Sequence, residues 1–123
     1  MVSALAKTLL YLAAAASSST ALGHTKMGYD VVFPALKKLG EKDHGALSAR
    51  IGWMEVNQGF VILTIFCFKW AQFGMTDVYD KAFAGFYCVA QFYFGWCYLK
   101  AGIKEPVIPL WGIPTLVGLS QLV

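Results

Sequence analysis

Charge is scarce in this sequence. Only 14% of its 123 residues are charged, whereas 58% are hydrophobic, and the formal net charge is +3. This composition, with a mean hydropathy of +0.57, is far more apolar than that of an ordinary soluble domain. The few charges are also too dispersed to form a nucleic-acid-binding surface. We therefore expect one membrane domain, residues 1–123, that contacts a lipid bilayer and binds no nucleic acid.

Cysteines and familiar catalytic motifs are also scarce. Cys67, Cys88 and Cys97 lie in apolar runs without CxxC spacing, which predicts buried thiols and neither a disulfide framework nor a zinc site. The sequence contains no phosphate-binding loop, HExxH motif, dinucleotide fingerprint or nucleophile elbow. One histidine beside one glutamate is a poor ligand set, so we expect neither a metal nor a cofactor.

Four apolar stretches are candidate membrane spans, each of which needs about 20 residues. They cover residues 2–22, 49–73, 78–99 and 107–123. The segment 26–48 is too polar to cross, and its apolar residues predict a short helix at the membrane interface. The predicted fold is thus an all-α, integral membrane four-helix bundle with a short interfacial segment between helices 1 and 2. The first stretch also resembles a cleavable secretory signal, but we favour a retained span.

The lysines and the single arginine are unevenly distributed between the loops. The more basic loops hold Lys26, Lys37, Lys38, Lys42 and Arg50 after the first span, and Lys100 and Lys104 after the third. The positive-inside rule places these loops in the cytoplasm and both termini on the opposite side. We expect a multi-pass protein of an intracellular membrane, namely the endoplasmic reticulum.

Polar residues align on one face of the third span. Asp80, Tyr87, Gln91 and Tyr98 fall within about 40° of one another on a helix that turns by ~100° per residue. This alignment predicts that the four side chains face the interior of the bundle. They can bind a substrate there, or they can serve only as hydrogen bonds between helices.

Glu55 lies within the second span, where a charged side chain costs about 2.5–3.5 kcal/mol near the bilayer centre and rarely faces lipid. We therefore expect Glu55 to face the bundle interior, with Gln58 on the same side and Asn57 on the opposite face with Arg50. His24, Glu55 and Tyr98 all lie toward the cytoplasmic ends of their spans. This placement predicts one site in which Glu55, His24 and Tyr98 transfer protons. Its predicted substrate-binding residues are Arg50, Asn57, Gln58, Tyr87, Gln91 and Asp80.

Two short motifs carry a resemblance to a group of known proteins. Gly23-His24-Thr25 and the polar, glycine-rich residues 52–60 resemble small four-span membrane proteins of fungal biosynthetic clusters. The resemblance implies an epoxide hydrolase, cyclase or isomerase that acts on a lipophilic small molecule, such as a polyketide or terpenoid intermediate.

The sequence is compatible with two other functions. Arg50, Glu55 and Asn57 are the residue types that contact glutathione in membrane-associated glutathione transferases, although here the glutamate precedes the asparagine. The chain can also be a non-catalytic accessory subunit of a larger membrane complex. A homo-oligomer is compatible with either enzyme.

Overall fold

The computed structural model describes all residues from Met1 to Val123, and it contains helices and no strands. Its four long helices confirm the all-α prediction, and a short helical segment separates the first two as expected. The helices are α1 (Ala4–Met27), α2 (Phe33–Lys37), α3 (His44–Phe73), α4 (Val78–Lys100) and α5 (Val107–Leu119), with a π-helical turn, Gly28–Val32, before α2.

Local sequence signals set the ends of the long helices. Ser3 begins α1 by accepting a hydrogen bond from the Ala6 backbone, and Asp43 and Asp77 cap α3 and α4 in the same way. Gly74 ends α3 at φ 77°, in the left-handed region that glycine adopts without steric cost. The connection from Gly74 to Asp77 is short, so the end of α3 lies beside the start of α4.

Small and hydroxyl-bearing residues hold α1 against α3. Ala13 and Ala14 are buried and let the two helices approach closely. Ser17 Oγ donates a hydrogen bond to the Phe60 carbonyl at 2.8 Å, and Ser18 and Thr64 hydroxyls lie 3.2 Å apart. Close packing through small residues, with hydroxyl hydrogen bonds between helices, is typical of membrane bundles.

Contacts between α3 and α4 are concentrated near the turn at Gly74. Lys69 Nζ lies 2.6 Å from Asp80 Oδ1, and the Phe66 and Phe83 rings stack at 4.7 Å. Farther from the turn, no hydrogen bond or aromatic pair joins the two helices. The side of the bundle between α3 and α4 is therefore closed near the turn and open as a cleft at the other end.

The packed end contains the main hydrophobic core, while most of the outer surface is apolar and exposed. Only 22 of the 123 residues are buried. Phe86 is 77% exposed, Val89 70% and Ile108 78%. By length and hydropathy, α3 alone qualifies as a helix able to cross a membrane, and α5 is a shorter apolar helix.

Gly95 on α4 lies directly under a tryptophan of α5. A Cβ atom at Gly95 would come 2.2 Å from Trp111 Nε1, whereas a Cβ at Gly85 on the same helix would meet nothing within 4 Å. We expect Gly95→Ala to displace the indole and to lower the free energy of unfolding by about 1–3 kcal/mol, the usual cost of overpacking.

Gly85→Ala is the matched control, because it should be neutral or stabilising by up to about 1 kcal/mol through its helix propensity. Thermal unfolding in detergent micelles measures both variants. Equal unfolding temperatures for Gly95→Ala and Gly85→Ala would contradict the close approach of α4 and α5.

Candidate functional site

The open part of the bundle forms a cleft of about 540 Å³ at its basic end. The carboxyl-terminal ends of α1 and α4 and the amino-terminal ends of α3 and α5 line it. Its volume lies within the range of small-molecule sites, and its wall is mainly apolar with a few polar groups. The polar groups are Thr20, His24, Trp53, Gln91, Tyr98 and Glu105.

A directed chain of hydrogen bonds fixes His24 in this cleft. Thr25 Oγ1 donates to the Ala21 carbonyl at 2.9 Å, because a carbonyl can only accept. The threonine oxygen therefore accepts from Asn57 Nδ2, at 2.8 Å. This contact orients the Asn57 amide so that its Oδ1 atom faces His24 Nδ1 at 3.1 Å.

The orientation of Asn57 decides the protonation of the imidazole. An amide oxygen accepts hydrogen bonds and cannot donate them, so Nδ1 of His24 must carry a proton. In the neutral ring the other nitrogen, Nε2, then keeps its lone pair. Nε2 has no hydrogen-bond partner within the protein, and His24 lines the cleft. His24 is thus arranged as a proton acceptor.

Aromatic rings hold the imidazole in place. The Trp53 indole stacks on His24 with centroids 4.1 Å apart and planes 8° from parallel. Its Nε1 atom also donates to the His24 carbonyl at 3.0 Å. Gly28 permits this position, since a Cβ there would come 2.7 Å from Trp53 Nε1. Phe60 contacts the imidazole edge-on, with centroids 5.9 Å apart.

The imidazole is half-buried in the cleft, and its Nε2 atom is left free to accept a proton.

Three polar side chains line the cleft with His24. Gln91 and Tyr98 of α4 are half-buried there, and Glu105 is exposed in the loop before α5. The sequence predicted Gln91 and Tyr98 but missed Glu105. One signal was present: Glu105 precedes Pro106 at the start of α5, at the end of the bundle where the site was expected.

The predicted interior position of Glu55 is wrong. Glu55 and Gln58 are exposed on the outer face of α3, where they share a shallow groove with Arg50. Asn57 was predicted as a substrate-binding residue but on a different face of α3 from Glu55, and it is this face that contacts His24. The inner face of α3 is set by its packing against α1 through Phe60 and Leu63, and this packing turns Glu55 outward.

Two other predicted substrate-binding residues lie outside the cleft. Asp80 is buried, with 1% of its surface exposed, at the opposite end of the bundle, where it accepts hydrogen bonds from Lys69 and the Thr76 backbone. Tyr87 is buried in the core, and its hydroxyl has no hydrogen-bond partner. Both face inward, but neither reaches His24. No group of three or more potential ligand side chains forms a metal-binding cluster.

No protein-family model matches the sequence, and neither the curated proteins nor the solved structures gave a match.

The hydrogen-bond chain makes a prediction about the His24 tautomer. We expect ¹⁵N NMR of the protein in micelles to show a protonated Nδ1 and a bare Nε2 at neutral pH. Asn57→Leu removes the acceptor and should allow both tautomers. Asn57→Asp should raise the pKa of His24, because a carboxylate stabilises the imidazolium.

His44, the other histidine, is exposed and serves as an internal control in the same spectra. A His24 signal typical of Nε2 protonation, or one unchanged by Asn57→Leu, would contradict the assignment.

Proposed function

We propose that this protein is a membrane-embedded acid–base enzyme that acts on a lipophilic small molecule. The observation that carries the proposal is the bare Nε2 atom of His24, oriented by Asn57 within an apolar cleft. An imidazole held in one tautomer, with Tyr98 of α4 also lining the cleft, supplies a base and an acid.

The exposed surface supports insertion of the whole bundle into a bilayer. Large apolar side chains are exposed on every long helix, among them Leu12, Ile65, Phe86 and Ile108. Soluble monomers rarely expose contiguous apolar patches larger than a few hundred Å². We infer a multi-pass protein in which α1, α3, α4 and α5 all cross, with the cleft at the cytoplasmic end. An endoplasmic reticulum location follows as an expectation.

The gap between α3 and α4 gives the substrate a path. The ring contacts between these helices end at Phe66 and Phe83, and the cleft begins beyond them. A lipophilic molecule can enter sideways from the acyl-chain region without crossing water. Glu105 lines the cleft at its polar end, so the polar end of the molecule would face the aqueous side.

Epoxide opening illustrates the chemistry that these residues can perform. His24 Nε2 takes a proton from water while the water oxygen bonds to an epoxide carbon. The carbon–oxygen bond breaks, and the Tyr98 hydroxyl gives its proton to the departing oxygen. His24 then returns the proton to the tyrosinate. Cyclisation and double-bond isomerisation use the same proton transfers.

The glutathione alternative has less support. Arg50 and Glu55 share the outer groove, but the amide of Asn57 is already bonded to His24 and Thr25. Saturable binding of glutathione in calorimetry, lost in Arg50→Ala, would favour that alternative.

The test of the proposal compares the two histidines. Purified protein in liposomes is incubated with a panel of lipophilic epoxides, and diols are measured by mass spectrometry. His24→Gln should lower turnover by about 10²–10⁴-fold, the usual contribution of a positioned proton acceptor. Tyr98→Phe should also lower it, because the ring is kept and only the proton donor is lost.

His44→Gln is the matched control, since His44 is exposed at the start of α3 and away from the cleft. Equal turnover in wild type, His24→Gln and His44→Gln would contradict the proposal. A specific loss in His24→Gln, with an unchanged unfolding temperature, would support it.

A further inference from the structure

The outer face of α3 carries a heptad pattern that the single chain leaves exposed over most of its length, although the ring of Phe68 lies 5.7 Å from that of Tyr11 on α1. Along this face, successive apolar or amide side chains are alternately four and three residues apart, as are the residues at positions a and d of a coiled coil. We call this row the α3 seam. It consists of Leu47, Ile51, Met54, Gln58, Val61, Ile65, Phe68 and Gln72, all of them exposed.

Charged residues flank the α3 seam on both sides. Ile51 and Gln58 take heptad position a, and Met54 takes position d. Arg50 is then at position g and Glu55 at the next position e. In a parallel pair of helices, a g residue faces the e residue five positions later on the partner helix. Arg50 of one copy would therefore face Glu55 of another, and the reverse pair would form as well.

Neither charge is neutralised within the chain. Glu55 forms no ion pair, and Arg50 contacts only the Phe33 ring, with its guanidinium carbon 5.2 Å from the centroid. A carboxylate and a guanidinium thus flank the apolar seam at the end of the bundle that holds the cleft, and each is free to pair with an opposite charge on a second copy. Gln58 also has no hydrogen-bond partner within the chain. A polar residue at heptad position a fixes the register of paired helices, and Gln58 is such a residue.

We propose that two copies of this chain associate through their α3 seams as a parallel, twofold-symmetric dimer. Copies inserted in the same orientation and related by an axis along the membrane normal have parallel α3 helices. This is the arrangement that the Arg50–Glu55 spacing requires. The dimer contact lies on the face of α3 opposite the cleft, so it leaves the mouth between α3 and α4 open.

Charge reversal tests the dimer. The full chain, reconstituted in liposomes with donor and acceptor fluorophores, reports association by energy transfer. Arg50→Glu and Glu55→Arg each place like charges opposite one another and should weaken association by about tenfold or more. The double variant restores opposite charges and should recover wild-type association. Lys38→Glu, an exposed reversal outside the α3 seam, should have no effect.

Disulfide trapping gives a second readout that does not depend on charge. In a Cys97→Ser background, Val61→Cys should form an intermolecular disulfide on mild oxidation, whereas Phe86→Cys, on exposed α4 surface, should not. A wild-type monomer, or single reversals that associate as well as wild type, would overturn the proposal. Coverage of the α3 seam by lipid or by a different protein would give those results.

Discussion

The limited contact between α3 and α4 is the constraint on which the rest of the structure depends. The short turn at Gly74, the Lys69–Asp80 ion pair and the Phe66–Phe83 stack join these helices at one end only. The bundle therefore has a packed end, which supplies stability, and an open end, which supplies a cleft. The same four helices form both ends, so the cleft requires no additional secondary-structure element.

The open end is organised by α1 and α3 together. His24 comes from α1, while its hydrogen-bond acceptor Asn57 and its stacking partner Trp53 come from α3. The contacts that hold these helices together are therefore also the contacts that fix the tautomer of His24. In the proposed enzyme, a change that separates α1 from α3 would affect both stability and proton transfer, whereas a change in Tyr98 would affect proton transfer alone.

The sequence predicted the helices well and the orientation of α3 poorly. Apolar run lengths located all four long helices, and the spacing from Asp80 to Tyr98 identified the inner face of α4. On α3 the inner and outer faces are almost equally apolar, so hydropathy alone does not distinguish them. The predicted inner face of α3 then depended on its polar residues, and it was drawn through Glu55 and not through Asn57. Only packing against α1, a tertiary contact, distinguishes the two faces. Glu105 was missed because it lies in a loop, outside the periodic segments.

Affinity labelling tests the central proposal most directly, namely that His24 is a proton acceptor that a molecule in a bilayer can reach. The protein is reconstituted in vesicles that contain a long-chain terminal epoxide, and peptide mass spectrometry locates the alkylated histidine. We expect alkylation of His24 in preference to His44, although His44 is the more exposed to solvent. Alkylation of His44 with His24 unmodified would show that Nε2 is not an accessible base, and it would contradict the proposal.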